Sequence, residues 1–443
     1  MIPFRWFALV GLALAVAPGA LAETNIYVQN NTPFAFPVEI KRPAGKALGG
    51  QYWKAGVKYV LPGQRAKILE FNRDSGVTNG KYFEFHEHLT MDGSTFILKQ
   101  RLKGTLVFSD LWQSIQGHNW YSDRATRNGT WNTGKTEFNV KYRAYFTGGA
   151  DDIEYIIQYR YPPASTAPHI LNVLAYNTYM RPTSLFVNGQ SLRQQLMMPE
   201  LKGRNYDVLI LSEMFDDDIR AKTVNSLKSE FPYYSKVVGS DSGVNQDGGV
   251  IIFSKWPITG GGTKLFGSVS SGSDAMADKG IKYVKINKQG RPYHIFGTHM
   301  QADKGAADVS TRRQQLQMLK AFVNAQNIPG TEPVIIGGDL NVDMTGRPNE
   351  YQQMLSILNA KHPMMIGNLK ATWDPTINKC ADSGTPEFLD YLLFSNAHLK
   401  PVISLNEVRL LRSRDGWKQL PTDKERWDLS DHFAVFGTFL FKK

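Results

Sequence analysis

The chain of 443 residues contains a single cysteine, Cys380. No intrachain disulfide can form, so an exported chain of this kind relies on its core and on any bound metal. With no Cys-His grouping around it, Cys380 reads as structural or incidental rather than as a nucleophile. The Cys/His spacing of a structural zinc site is missing. So are the Gly-x-Ser-x-Gly elbow of serine hydrolases and the Walker loop of nucleoside-triphosphate enzymes. The glycine run at 260–262 lacks the Lys-Ser/Thr ending of such a loop. Sequence repeats and low-complexity tracts are not apparent. Beyond the N-terminus no segment is long and apolar enough to span a bilayer.

Hydrophobic residues make up 42% of the chain and charged residues 21%, enough apolar content for a packed core. The formal net charge is +11, which favours anionic partners: nucleic acid, membrane surfaces or phosphorylated substrates. The first 22 residues combine Arg5, a short apolar stretch and Ala20-Leu21-Ala22. This is the pattern of a cleaved signal peptide, so the mature chain is expected to be secreted, with periplasmic transit on the way, and soluble.

A boundary falls at 161–168, where "YPPASTAP" suits an extended linker. Residues 23–160 are rich in aromatic and β-branched residues in short alternating runs, as in "STFILKQRLKGTLVFS". They predict a β-rich, sandwich-like accessory domain, with lipid or receptor binding as its expected role. Residues 169–443 change rhythm. Apolar runs such as "YDVLILSE", "PVIIGGDLN" and "HFAVFGTFLF" alternate with helix-like stretches at 189–203 and 311–326. That alternation predicts an α/β domain whose strands are buried on both faces.

Polar residues gather where these runs end: Asn177, Glu213, His299, Asp339 with Asn341, Asp390, and Asp431 with His432. Ligand sites in α/β folds collect at strand ends. One such residue is usually a turn or cap; eight of them spread over six elements require another explanation. Glu213 beside Asn177 suits Mg²⁺, which takes one or two carboxylates plus waters and phosphate oxygens. Two histidines on separate segments can divide proton work, each with a carboxylate to fix its tautomer. Asn341 can donate hydrogen bonds to phosphate without adding charge. The inventory fits metal-assisted, in-line hydrolysis of a phosphoester by water.

The order Asn177, Glu213, His299, Asp339-Leu340-Asn341, Asp390, Ser430-Asp431-His432 resembles the endonuclease/exonuclease/phosphatase superfamily, over about residues 169 to 443. Within it, "LSEMFDDD", "QDGGVIIFSKWPI", "FGTHMQAD" and "ATWDP" are similar to bacterial neutral sphingomyelinases. The resemblance implies a four-layered α/β/β/α sandwich with two packed sheets and a catalytic face at one edge. It implies Glu213 as the Mg²⁺ ligand with Asn177 beside it, Mn²⁺ or Co²⁺ being candidate substitutes. It makes His432 the general base, oriented by Asp390 and Asp431, and gives the phosphoryl group to His299, Asp339 and Asn341. The implied substrate is sphingomyelin or a related choline phospholipid at a membrane surface, cleaved by a monomer that takes no nucleic acid. A nuclease with the same core and a membrane-binding toxin are the alternatives. Bacillus-like relatives carry an aromatic hairpin that enters the membrane. Here the corresponding region, about 403 to 427, is more basic, and Trp417 near its middle is its candidate membrane contact.

Overall fold

The structure, a computed structural model, describes residues 23–42, 48–73, 75–106, 109–241 and 246–443. The expected signal peptide, 1–22, lies outside the described residues. The chain divides into two compact units. The second comprises Gln158–Lys443 together with two short pieces of early sequence, Asn31–Ala35 and Leu61–Gln64; the rest forms the first.

The first unit is built on a six-stranded and a five-stranded sheet. Strand Tyr82–Met91 alternates buried and half-exposed residues along its length, the pattern of a sheet with one solvated face. It turns into Ser94–Gly104 through Asp92 and Gly93, at φ 51° and 75°. Left-handed residues at both positions let a two-residue hairpin follow the strand twist. Aromatic pairs join the sheets: Phe71 stacks on Phe85 at 5.2 Å, and Phe96 stacks on Trp131 at 5.5 Å.

The second unit has four layers. A seven-stranded sheet contains the Asn177 strand (Ile170–Met180), the Glu213 strand (Val208–Met214) and Ala434–Leu440, which follows His432. A six-stranded sheet contains the His299 strand (Arg291–His299), the Asp339 strand (Val334–Asp339) and the Asp390 strand (Asp390–Ser395). Alternation within each run sorts side chains to opposite faces. Val173, Ala175, Val208, Ile210, Ile295 and Ile335 fill the space between the sheets. Leu174, Leu209 and Leu211 face outward under helices α1 (Gln190–Leu201) and α2 (Asp217–Leu227). Phe296, Ile336 and Leu393 face outward under α3 (Ala306–Ala325) and α4 (Pro348–Leu358). Sheets buried on both faces explain why the sequence shows near-continuous apolar runs. Among the described residues no helix is long and apolar enough to cross a membrane.

The region 403–427 begins inside a sheet and ends in a short antiparallel pair. Ile403–Arg409 is an inner strand of the seven-stranded sheet, and Arg412–Trp417 pairs with Arg426–Asp428. Trp417 is 4% exposed, its Nε1 donates to the Asp428 carbonyl at 2.9 Å, and its ring abuts Gly189. Arg412 is buried and paired with Asp428 at 2.7 Å. The membrane contact expected at Trp417 is therefore corrected: the ring is core, and the neighbouring cation is taken up by an internal ion pair.

The sheets are tied by a buried ion pair. Asp207, just before the Glu213 strand, accepts from Lys288 of the other sheet at 2.8 Å, from the Asn172 backbone N–H at 2.8 Å and from Trp256 Nε1 at 2.6 Å. Removing one partner of such a pair leaves an uncompensated buried charge, at about 3–5 kcal/mol. Lys288→Met is expected to lower the unfolding free energy by about that amount, read as a fall in the urea midpoint at unchanged m-value.

Candidate active site

Strand register assembles half of the site. The His299 and Asp339 strands run parallel with His299 opposite Asp339, and the Asp390 strand runs antiparallel with Asp390 opposite Asp339. Three functional side chains thus stand in one row across the sheet. The two glycines before Asp339 have separate reasons. A Cβ on Gly337 would lie 2.5 Å from Leu392 and 3.0 Å from Ile210, which crosses from the other sheet. Gly338 sits at φ 124°, and a Cβ there would lie 2.1 Å from the Thr298 carbonyl oxygen.

The other half comes from the seven-stranded sheet. Asn177 is fully buried, and its Nδ2 donates both to Glu213 Oε1 at 3.0 Å and to Asp339 Oδ2 at 2.9 Å. Its Oδ1 accepts from the Tyr179 N–H at 3.1 Å. Asn177 therefore draws two carboxylates together and does not turn an oxygen toward them. Asn341 leaves the extended geometry of the strand that precedes it. It sits at φ 53°, its N–H donates to Asp339 Oδ1 at 3.0 Å, and its Nδ2 donates to the Met300 carbonyl at 3.1 Å.

His432 Nδ1 bonds Asp390 Oδ2 at 2.7 Å, leaving Nε2 free at 3.9 Å from Asp339 Oδ2. Asp431 does not bond the ring; it accepts from Ser430 Oγ at 3.2 Å, and the same hydroxyl donates to the Asn177 carbonyl at 2.6 Å. Burial alone lowers the proton affinity of His432, but Asp390, Asp339 and Asp431 outweigh it and hold its pKa well above the ordinary value. His299 is the reverse. Burial, then the neighbouring Lys279 cation, push it down to about 3 against the pull of Asp339. Burial pushes Asp431 up to about 7, with the charge of Glu213 adding to the effect and His432 opposing it.

Glu213, His299, Asp339, Asn341 and His432 line one cavity of about 420 Å³. The donor set fits a hard divalent cation: Glu213 and Asp339 offer carboxylate oxygens held close by one amide. Ligand atoms of Asp339, Asp390 and His432 also lie within 4.8 Å of one another. Because Asp390 occupies Nδ1 of His432, that trio is better read as a base with its supporting carboxylates.

Three residues at the site were not legible in the sequence, and a fourth, Trp373, lies in the "ATWDP" stretch that carries the resemblance. Lys279 is buried, lies 3.2 Å from His299 Nε2 and pairs with Asp274 at 2.8 Å. Arg193 of α1, fully buried, donates to the carbonyls of Thr178, Tyr179 and Leu429, so it gathers the chain around Asn177 and His432. Arg312 of α3 pairs with Glu350 at 2.7 Å and donates to the carbonyls of Gln301, Ala302 and Asp303 beyond His299. Trp373 lines the cavity and forms a backbone bridge with His432. Lone cations on helices and loops read as solvated, and nothing in their spacing says otherwise. Lys279→Met removes a cation that lowers His299, so the His299 pKa is expected to rise from about 3. An imidazole NMR titration measures this, and an unchanged value counts against the contact.

The model of the Endonuclease/Exonuclease/phosphatase family matches residues 129–432. Sphingomyelinase C of Listeria ivanovii is 34% identical over 295 residues, covering 61% of this chain and 86% of that protein. The crystal structure of SmcL superposes with a TM-score of 0.57 at 34% identity, over 62% of this chain and 100% of that one. A doubly substituted beta toxin from Staphylococcus aureus, solved with bound magnesium ions, gives 0.56 at 33% identity, over 62% and 99%. The row of His299, Asp339 and Asp390, the His432 dyad and these matches agree: the chain belongs to the endonuclease/exonuclease/phosphatase family, within it to the bacterial sphingomyelinases, and is a phosphodiesterase.

Proposed function

We propose that the chain is a secreted, divalent-cation-dependent sphingomyelin phosphodiesterase that releases ceramide and phosphocholine by direct attack of water. The observation that carries this is the Asp390–His432 dyad opening onto the cavity shared by Glu213, Asp339 and His299. The matched sphingomyelinases supply the substrate class, and the magnesium-bearing beta toxin supports the metal.

His432 Nε2 takes a proton from the attacking water as the phosphorus–oxygen bond to ceramide breaks; solvent protonates the departing alkoxide, and Asp390 stabilises the imidazolium that results. His299, held neutral, hydrogen-bonds a phosphoryl oxygen. Asn341 keeps one N–H for the same group while the other holds the Met300 carbonyl. Asn177 keeps Glu213 and Asp339 in register with each other. Glu213 and Asp339 would hold Mg²⁺, with Mn²⁺ or Co²⁺ as substitutes. Bound there, the cation supplies charge neutralisation for the phosphoryl oxygens and for the carboxylates around His432. The enzyme acts as a monomer at a membrane surface, and the first unit serves as an accessory, membrane-binding domain.

Phosphocholine release from sphingomyelin vesicles, with Mg²⁺ and with EDTA, tests the proposal beside a plasmid-nicking control. Release that depends on the metal, without nicking, is expected; nicking without release would convert the reading to a nuclease. His432→Ala is expected to lower turnover by roughly 10²–10⁴. Asp390→Asn tests the dyad through pH. His432 works as a base only when neutral, so activity rises as pH passes its elevated pKa. Removing the Asp390 charge lowers that pKa, so the acidic limb of kcat against pH moves to lower pH while the maximal rate falls. A limb that stays in place would mean that Asp390 does not act through His432.

A further inference from the structure

The catalytic cavity has lining residues that the hydrolytic chemistry does not use. Trp373 lines it together with Asp303 and Glu387. The position of the indole is fixed from both sides of its backbone. Trp373 N–H donates to the Glu387 carbonyl at 3.0 Å, Glu387 N–H donates back at 2.8 Å, and Phe433 N–H donates to the preceding Thr372 carbonyl at 2.6 Å. Trp373 also bridges to His432, so the ring and the base share one rigid frame. Its benzo edge lies against Gly384, where a Cβ would come within 3.0 Å of the ring.

Trp373 is half-buried in the wall of the cavity. Trp53, Trp120, Trp256 and Trp417 each have a Lys or Arg of the protein over the ring. Among the described residues none lies over Trp373, although Lys304 and Arg347 line the same cavity. Those two cations are engaged elsewhere: Lys304 pairs with Glu387, and Arg347 donates to the Lys304 carbonyl at 2.5 Å. Asp303, exposed and held at φ 65° by the Arg312 bond to its carbonyl, adds a carboxylate to the lining of the same cavity.

We infer that Trp373, backed by Asp303, forms a subsite for the quaternary ammonium of the substrate headgroup. An aromatic face with a nearby carboxylate is the arrangement that recognises such cations, which can accept no hydrogen bond and donate none. Phosphate held at His299 and His432 and trimethylammonium held on Trp373 beside them would select phosphocholine esters over diesters without a cation. The inference rests on the phosphodiesterase reading above.

The test compares two soluble chromogenic diesters with the same leaving group: p-nitrophenyl phosphocholine, and methyl p-nitrophenyl phosphate, which has no cation. The wild-type protein is expected to prefer the choline ester in kcat/KM. Trp373→Leu is expected to reduce that preference on the order of tenfold, and Trp373→Phe to retain most of it. Gly384→Ala, which displaces the ring without removing it, is expected to fall between the two. A preference unchanged in Trp373→Leu overturns the subsite, as does equal use of the two esters by the wild-type protein. Hydrolysis of neither ester, nor of sphingomyelin vesicles, would instead overturn the phosphodiesterase reading.

Discussion

One buried amide holds the site together. Asn177 Nδ2 donates to Glu213 from its own sheet and to Asp339 from the other. Two carboxylates held this close repel, and in a buried setting the repulsion is large unless donors or a cation offset it. The site therefore exists only while the sheets keep their stacking. The Glu213 strand shows how that is arranged: Asp207 at one end locks the sheets through Lys288, and Glu213 at the other end enters the cavity. Arg193 and Ser430 add the chain around His432 to the same frame, through the carbonyls of Thr178, Tyr179 and Leu429 and that of Asn177.

Backbone strain collects at the same place. Tyr179, Glu213, Asp303 and Asn341 all occupy the left-handed region, at φ 55°, 54°, 65° and 53°. Each such residue costs on the order of 1–3 kcal/mol and persists only where its surroundings over-determine it. Here each is pinned by a specific bond. Tyr179 N–H meets Asn177 Oδ1, and its carbonyl meets Arg193. The chain after Glu213 is fixed by Met214 N–H to the Gly249 carbonyl at 2.9 Å. The Asp303 carbonyl meets Arg312, and Asn341 Nδ2 meets the Met300 carbonyl. Three of the four, Glu213, Asp303 and Asn341, line the cavity.

This explains which parts of the molecule the sequence made readable. Strands buried on both faces need apolar residues at every position, so the runs "YDVLILSE" and "PVIIGGDLN" and the polar residues ending them stand out. The alternation that sorts Val208 and Ile210 from Leu209 and Leu211 is hidden in such a run, because both faces are apolar. Local backbone turns are hidden too: nothing in "DLN" marks Asn341 as left-handed. Buried cations were the largest loss. Arg193, Lys279 and Arg312 look like surface charges until the carbonyls and carboxylates they serve, distant in sequence, come into view. The same blindness produced the error at Trp417, where a basic, Trp-bearing stretch looked like a membrane contact and is an internal ion pair beside a packed indole.

The two histidines show what those unseen charges accomplish. His299 and His432 are the same side chain, both buried, both facing Asp339 at 3.8 and 3.9 Å. Burial and a shared carboxylate therefore cannot distinguish them. The difference lies in the second neighbour. Asp390 bonds His432 and strengthens its hold on a proton, while Lys279 lies against His299 and weakens it. A base must accept a proton from water and keep it through the transition state, whereas a phosphate contact gains nothing from a tightly held proton that would pair with Asp339 instead. A carboxylate behind one imidazole and an ammonium beside the other give the two rings opposite proton affinities, which suit the base and the phosphate contact of the proposed mechanism.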